Sequence, residues 1–179
     1  MSKDQDIDGS AEPRASRPRT PGPDYGVPEG DGALLPWSHV EERVREARSY
    51  WMATVRPEGR PHAVPTWGVW VDTTFYTEGG GRKVQNLRSN PAVVVHLESG
   101  EDVVIVEGEA SEISRPERSL FERIDAAYAG KYGYKPSDNL SDPDDVPYPE
   151  GGLFAVRPRV VFAWTRFPED VTRFSFGPS

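Results

Sequence analysis

Between Tyr50 and Ile113 the sequence falls into five segments rich in β-branched and aromatic residues: YWMATV, PHAVPTWGVWV, TFYT, AVVVHLE and VVIVEGEASEI. Three of the four links, RPEGR, VDTT and ESGED, are short turn strings. Parallel strands need crossovers of about a dozen residues or more, so these links restrict the segments to an antiparallel meander or barrel. Further on, LFAVRPRVVFAWTR and VTRFSF read as two closing strands. The expectation is a mainly β (α+β) fold, a six- to seven-stranded antiparallel barrel with two or three short helices. Pro65 interrupts the second segment, which predicts an edge strand, a bulge or a backbone left free for another partner.

Helical periodicity is confined to three places. In WSHVEERVREARSY, Val40, Val44 and Ala47 recur at helical spacing, and Ser38 with Glu41 reads as a capping box. Ser114 and Glu117 read as a second box, with Pro116 in the first turn of a helix through about Ala129. The third is a short polar helix ending near Asn90-Pro91.

Residues 1–36 are dominated by Pro, Gly, Asp and Arg and carry too little apolar surface to offset the entropy of ordering. They predict a disordered or extended tail, leaving 37–179 as one domain. The acidic, Pro-rich segment 137–150 reads as a solvated loop, with a lid over a pocket as the alternative.

A net charge of -8 argues against a surface built to hold nucleic acid and favours a small-molecule partner. The chain has no cysteine, which removes disulfides, thiolate metal sites and cysteine nucleophiles. Its three histidines, His39, His62 and His96, make no i,i+3 or i,i+4 ligand pair, so no metal centre is expected. No run of about 20 apolar residues is present, and the reading is of a soluble cytoplasmic protein without a membrane partner.

The most informative stretch for chemistry is FYTEGGGRKVQNLRSNP, Phe75 to Pro91. A glycine run before a helix lets the backbone approach a ligand, and the first helical N–H groups point at an anion placed there. Arg82 offers a bidentate fork to phosphate oxygens, Lys83 a mobile point charge, and Thr77 a hydroxyl from the strand end. The spacing is neither that of a Walker loop nor that of the dinucleotide fingerprint.

From about Trp51 to Phe176 the chain resembles the pyridoxamine 5'-phosphate oxidase-like superfamily of split β-barrel flavin and deazaflavin oxidoreductases. The resemblance is carried by ATVRPEGRPHAVPTWGVWV, FYTEGGGRKVQNLRSNP, VVIVEGEASEI and RPRVVFAWTRF, in that order. It implies that Tyr76, Thr77, Arg82 and Lys83 hold a cofactor phosphate, and that the flavin ring lies against the backbone of Val64, Pro65, Thr66 and Trp67. It also implies a homodimer with the cofactor at the subunit interface, where Trp164 and Arg173 reach the cofactor bound by the partner chain.

Pyridoxamine phosphate oxidase proper carries a cofactor-contacting Arg and a substrate-contacting Lys in the strand that here reads HAVPTWGVWV, which has neither. The resemblance therefore implies the related branch that uses FMN or coenzyme F420 for hydride transfer to a small unsaturated substrate; the KYGY segment is similar to members of that branch. The polyglutamate tail of coenzyme F420 needs a cationic path, for which Arg56, Arg60 and Arg88 are candidates. No catalytic acid or base is dictated by the sequence, and His62 is the one candidate donor. The alternative is a non-catalytic split barrel that holds a flavin or haem.

Overall fold

The computed structural model describes residues 12–19, 25–139 and 152–177. The lid alternative for the acidic loop falls largely on residues 140–151, outside the described residues. In chain order the elements are β1 (Arg14–Ser16), α1 (Trp37–Glu46), β2 (Tyr50–Val55), β3 (Pro61–Thr66), β4 (Val69–Val71), β5 (Thr74–Glu78), α2 (Arg82–Ser89), β6 (Ala92–His96), β7 (Val103–Ile113), α3 (Arg118–Tyr132), β8 (Leu153–Trp164) and β9 (Thr172–Ser175). A 3-10 turn, Pro136–Asn139, follows α3.

Every strand pairing among the described residues is antiparallel, in the order β1-β9-β8-β7-β6-β2-β3 with β4 and β5 branching from β8. The branch point is the split. One edge of β8 pairs with β7, while its other edge takes β5 along 153–156 and β9 along 160–163. Nine strands are described rather than six or seven, for two physical reasons.

First, Arg14–Ser16, within the stretch read as a tail, adds an edge strand to β9. Arg17 clasps it in place by donating to the carbonyls of Gly30 (3.2 Å), Val171 (3.1 Å) and Gly32. Second, the segment PHAVPTWGVWV does not run as one strand but breaks at Trp67-Gly68 into β3 and β4. Gly68 lies so close to Phe75 that a Cβ there would sit 2.2 Å from its ring.

Neither expected capping box forms. Helix α1 begins at Trp37 after Pro36 and has no side-chain cap, so Ser38 already lies inside the first turn. What fixes its start is burial: the Trp37 ring meets Phe174 at 5.2 Å and Phe176 at 5.3 Å. Helix α3 is preceded by Glu117, also without a side-chain cap, and Ser114 and Pro116 lie ahead of it. It runs beyond Ala129 to Tyr132, because Tyr128 packs into the core, and ends on Gly133 in the left-handed conformation.

Two apolar clusters result. The barrel interior holds Tyr50, Met52, Phe75, Val95, Val106, Val161 and Phe174, closed at one end by Trp37, Val40 and Val44 of α1. A second cluster, Val69, Tyr76, Ile124, Tyr128, Leu153 and Ala155, glues α3 to β4, β5 and β8. The opposite sheet face carries the alternate residues, and register aligns Pro65, Trp51, His96, Ile105 and Phe162 in one row across five strands. Trp51 is 37% exposed on that face.

Candidate functional site

The site forms where β3 ends, β5 ends and α2 begins. Gly81 precedes α2 with φ 76° and ψ −151°, a conformation open only to glycine, and this sharp entry aims the helix start back at the strand ends. The helix has no acidic residue in its first turn and no capping side chain, so its leading N–H groups keep their pull on an anion.

Beneath that helix start, side chains from three elements form one hydrogen-bonded chain. Lys83 Nζ donates to Thr66 Oγ1 at 2.7 Å, Thr66 donates to Thr77 Oγ1 at 3.0 Å, and Thr77 donates to the carbonyl of Trp67 at 2.7 Å. Lys83 also donates to the carbonyl of Glu78 at 3.0 Å. An ammonium has three N–H donors, and two are engaged among the described residues. Burial pushes the Lys83 ammonium below its usual range, with Glu78 opposing, so an incoming anion meets a poorly hydrated charge. Arg82, the first residue of α2, is exposed beside it.

A ring platform adjoins this cradle. Trp67 is 56% exposed and stacks on Tyr132 of α3, with centroids 4.7 Å apart and planes 8° from parallel. The Tyr132 hydroxyl both donates to Gly68 O (2.9 Å) and accepts from Gly68 N–H (3.1 Å), bridging the break between β3 and β4. Tyr134 donates to Glu78 Oε2 at 2.8 Å. Next to the platform, β3 is the last strand on the pairing path, so the edge away from β2 has no strand partner among the described residues. Pro65, opposite Trp51, fits such an edge.

Of the residues singled out from the sequence, Thr66, Trp67, Thr77 and Lys83 are joined directly, with Arg82 next to them. Val64 lies on the same side of β3 as Thr66, and Pro65 on the opposite face, by strand alternation. Tyr76 is elsewhere: its ring is buried in the α3 cluster. His62 faces Thr54, whose Oγ1 is 3.5 Å from its Nδ1, too long for a strong bond. Trp164 and Arg173 lie on β8 and β9, away from the cradle along the pairing path; Trp164 packs edge-on to Phe167 and Arg173 donates to Ser175.

Sequence reasoning missed Tyr132 and Tyr134, although both lie in the KYGY string. Arg88 forks onto Glu112 at 2.8 and 2.7 Å. Among the described residues no cluster of His, Asp and Glu is arranged to hold a metal ion, and no helix is long and apolar enough to cross a membrane.

Residues 37–164 match the family described as Pyridoxamine 5'-phosphate oxidase, more than half of the chain. The chain belongs to that family. As a pyridoxamine 5'-phosphate oxidase family protein it is similar to the heme storage protein HutZ from Vibrio cholerae, at 21% identity over 70% of this chain and 92% of that one, with a TM-score of 0.53. It is also similar to an FAD-binding protein from Mesorhizobium loti (19% identity, 80% and 96% of the two chains, TM-score 0.54). General Stress Protein 26 from Bacillus anthracis str. Sterne is a third neighbour (22% identity, 70% and 90%, TM-score 0.51). At these identities the likenesses show the shared split-barrel fold. No curated protein of known function matches the chain.

Proposed function

We propose that this protein is a cytoplasmic oxidoreductase that binds coenzyme F420 or FMN and transfers a hydride between the cofactor and a small unsaturated substrate. The observation that carries the reading is the run of hydrogen bonds from Lys83 through Thr66 and Thr77 to the Trp67 carbonyl. It joins a desolvated cation at an uncapped helix start to the residue of the aromatic platform, beside a strand edge that has no strand partner among the described residues. A phosphate with a planar ring on a short linker matches that set of donors and surfaces. The FAD-binding neighbour supports the same ligand class.

When bound, the cofactor supplies the hydride chemistry. Lys83 and Arg82 would hold its phosphate, and the unpaired edge of β3 would orient the ring through Val64 and Thr66 backbone groups. Trp67, braced by Tyr132, would exclude water from one side. The absence of Arg and Lys from PHAVPTWGVWV argues against vitamin oxidation.

Assembly is part of the proposal. The outer sheet face, with Trp51, Pro65, Ile105 and Phe162 across neighbouring strands, suits a second copy of this chain, which would bring Trp164 and Arg173 to the partner's cofactor.

The test is a side-by-side titration with FMN and coenzyme F420, followed by turnover with a reduced nicotinamide or reduced deazaflavin donor and a panel of enones. Charge-assisted bonds contribute about 1.5–3 kcal/mol each, so Arg82→Ala with Lys83→Ala is expected to weaken binding by about a hundredfold or more while the circular dichroism spectrum stays unchanged. Unaltered affinity in the double variant would remove the phosphate assignment.

A second reading, a non-catalytic haem-binding barrel, is favoured by one observation. His96 donates its Nδ1–H to the Leu97 carbonyl at 2.7 Å, the arrangement that leaves Nε2 as a ligand, and it lies in the row with Trp51 and Ile105. HutZ supports it as a heme storage protein of the same fold. A Soret band on haemin titration that is lost in His96→Ala, together with no turnover, is the outcome that selects it.

A further inference from the structure

One amine stands apart from the cradle and takes no part in its chemistry. Lys131 lies in the last turn of α3, and its ammonium reaches across to the end of α1 and the start of β2. It donates to the Tyr50 hydroxyl at 2.6 Å and to the Val44 carbonyl at 3.4 Å, and Tyr50 donates to the same carbonyl. Both partners are buried and uncharged, and among the described residues no carboxylate pairs with the lysine. Lys83 differs on this point, because Glu78 supports its charge.

Surroundings of this kind favour the neutral amine, which is the nucleophilic form. Burial lowers the Lys131 pKa from 10.5 to about 8, so at about pH 7.5 roughly a quarter of the side chain is free amine, against about one part in a thousand in the unfolded chain. The residue is half-buried, so a small reagent can reach it. Two rings flank the amine: Nζ is 5.0 Å from the Tyr50 centroid and 6.0 Å from the Tyr132 centroid. The Val44 carbonyl belongs to the last turn of α1, whose negative pole opposes an anionic adduct such as a carbamate. A short, neutral, apolar group suits the place.

We infer that Lys131 is an acylation site, whose amine, held between Tyr50 Oη and the Val44 carbonyl, takes a short acyl group from a thioester. The Nζ lone pair attacks the thioester carbonyl carbon and a C–N bond forms. The C–S bond breaks with its electron pair going to sulfur, and the proton leaving Nζ ends on the thiol. The resulting amide keeps one N–H for Tyr50 Oη, its alkyl end has the two rings to pack against, and its carbonyl turns to solvent. The desolvated charge is gone, so acylation strengthens the docking of α3 on α1 and β2. The inference is independent of the cofactor reading.

The experiment incubates the full chain with N,S-diacetylcysteamine, a neutral acetyl thioester with no phosphate to draw it to Lys83, and follows each lysine by peptide mass mapping. At about pH 7.5, Lys131 is expected to react about tenfold faster in the folded protein than in about 6 M guanidinium, with its folded rate levelling off above about pH 8. Protein acetylated at Lys131 should unfold at higher urea than untreated protein at neutral pH. In Lys131→Met both the label at this position and the gain on treatment should be lost. Reaction at Lys131 no faster in the folded than in the unfolded chain, or acetylation there that lowers stability, refutes the inference.

Discussion

Replacing Lys131 with methionine should stabilise the protein at neutral pH, and the gain should vanish in alkali. Lys131 lies near the end of α3, where its ammonium donates to the Tyr50 hydroxyl at 2.6 Å and the Val44 carbonyl at 3.4 Å and sits 5.0 Å from the Tyr50 ring centroid. No carboxylate pairs with it among the described residues, and burial lowers its pKa from 10.5 to about 8. Below about pH 8 the lysine is charged in both folded and unfolded states, and only the folded state bears the desolvation. Between about 8 and 10.5 the folded protein has released a proton that the unfolded chain still holds, so wild-type stability rises with pH across that window.

The lowered pKa corresponds to about 3 kcal/mol at most. The side chain is only partly buried, and solvent screening reduces this to about 1–2 kcal/mol. Methionine keeps the apolar stem and removes the charge, and Tyr50 still donates to the Val44 carbonyl. Urea unfolding of both proteins from pH 6.5 to 10 is the assay. The variant should lead by about 1 kcal/mol at pH 7, with the two curves converging above pH 10. A variant that is less stable at pH 7, or a difference independent of pH, would refute the claim that Lys131 is a charge held against desolvation.

Three further outcomes are expected. Gly68→Ala forces a Cβ to within 2.4 Å of two Phe75 ring atoms in the barrel core and should cost about 2–3 kcal/mol by thermal denaturation. Tyr132→Phe leaves the Gly68 N–H without its partner and frees the Trp67 stack; a loss of about 1–3 kcal/mol in urea unfolding, with altered tryptophan emission, is the expected result. Trp51→Glu places a charge in the outer-face row and should convert the proposed dimer to a monomer in sedimentation, with little change in the far-ultraviolet circular dichroism.

Much of the barrel is legible from strand alternation, because Met52, Val95 and Val106 point into one core while Trp51, His96 and Ile105 point away from it. The glycine turn is legible too, since Gly79–Gly81 separate a strand pattern from a short polar helix pattern, and α2 does start at Arg82. What the sequence hides depends on distant partners. Tyr132 reaches Trp67 only because α3 docks across β4, and no local pattern encodes a contact between residues so far apart. The break at Trp67-Gly68 looks like continuous strand because alternation of apolar residues persists through it; only the Phe75 ring beneath Gly68 explains it. The first capping box fails because burial of Trp37 outweighs a cap contributing about 1 kcal/mol; the second fails because α3 starts only after Glu117, so Ser114 lies ahead of the cap position. Tyr76 shows the converse, a residue placed by analogy at a ligand but committed by strand parity to the α3 core.

The run from Lys83 to the Trp67 carbonyl makes the two halves of the site one thermodynamic unit. An anion that draws Lys83 toward itself alters the proton positions on Thr66 and Thr77 and so the peptide that carries the ring platform. The contributions of phosphate and ring to binding should therefore not add: a cofactor's affinity will exceed what inorganic phosphate and a phosphate-free ring show separately, and replacing Thr77 with valine should shrink that excess without removing either contact surface.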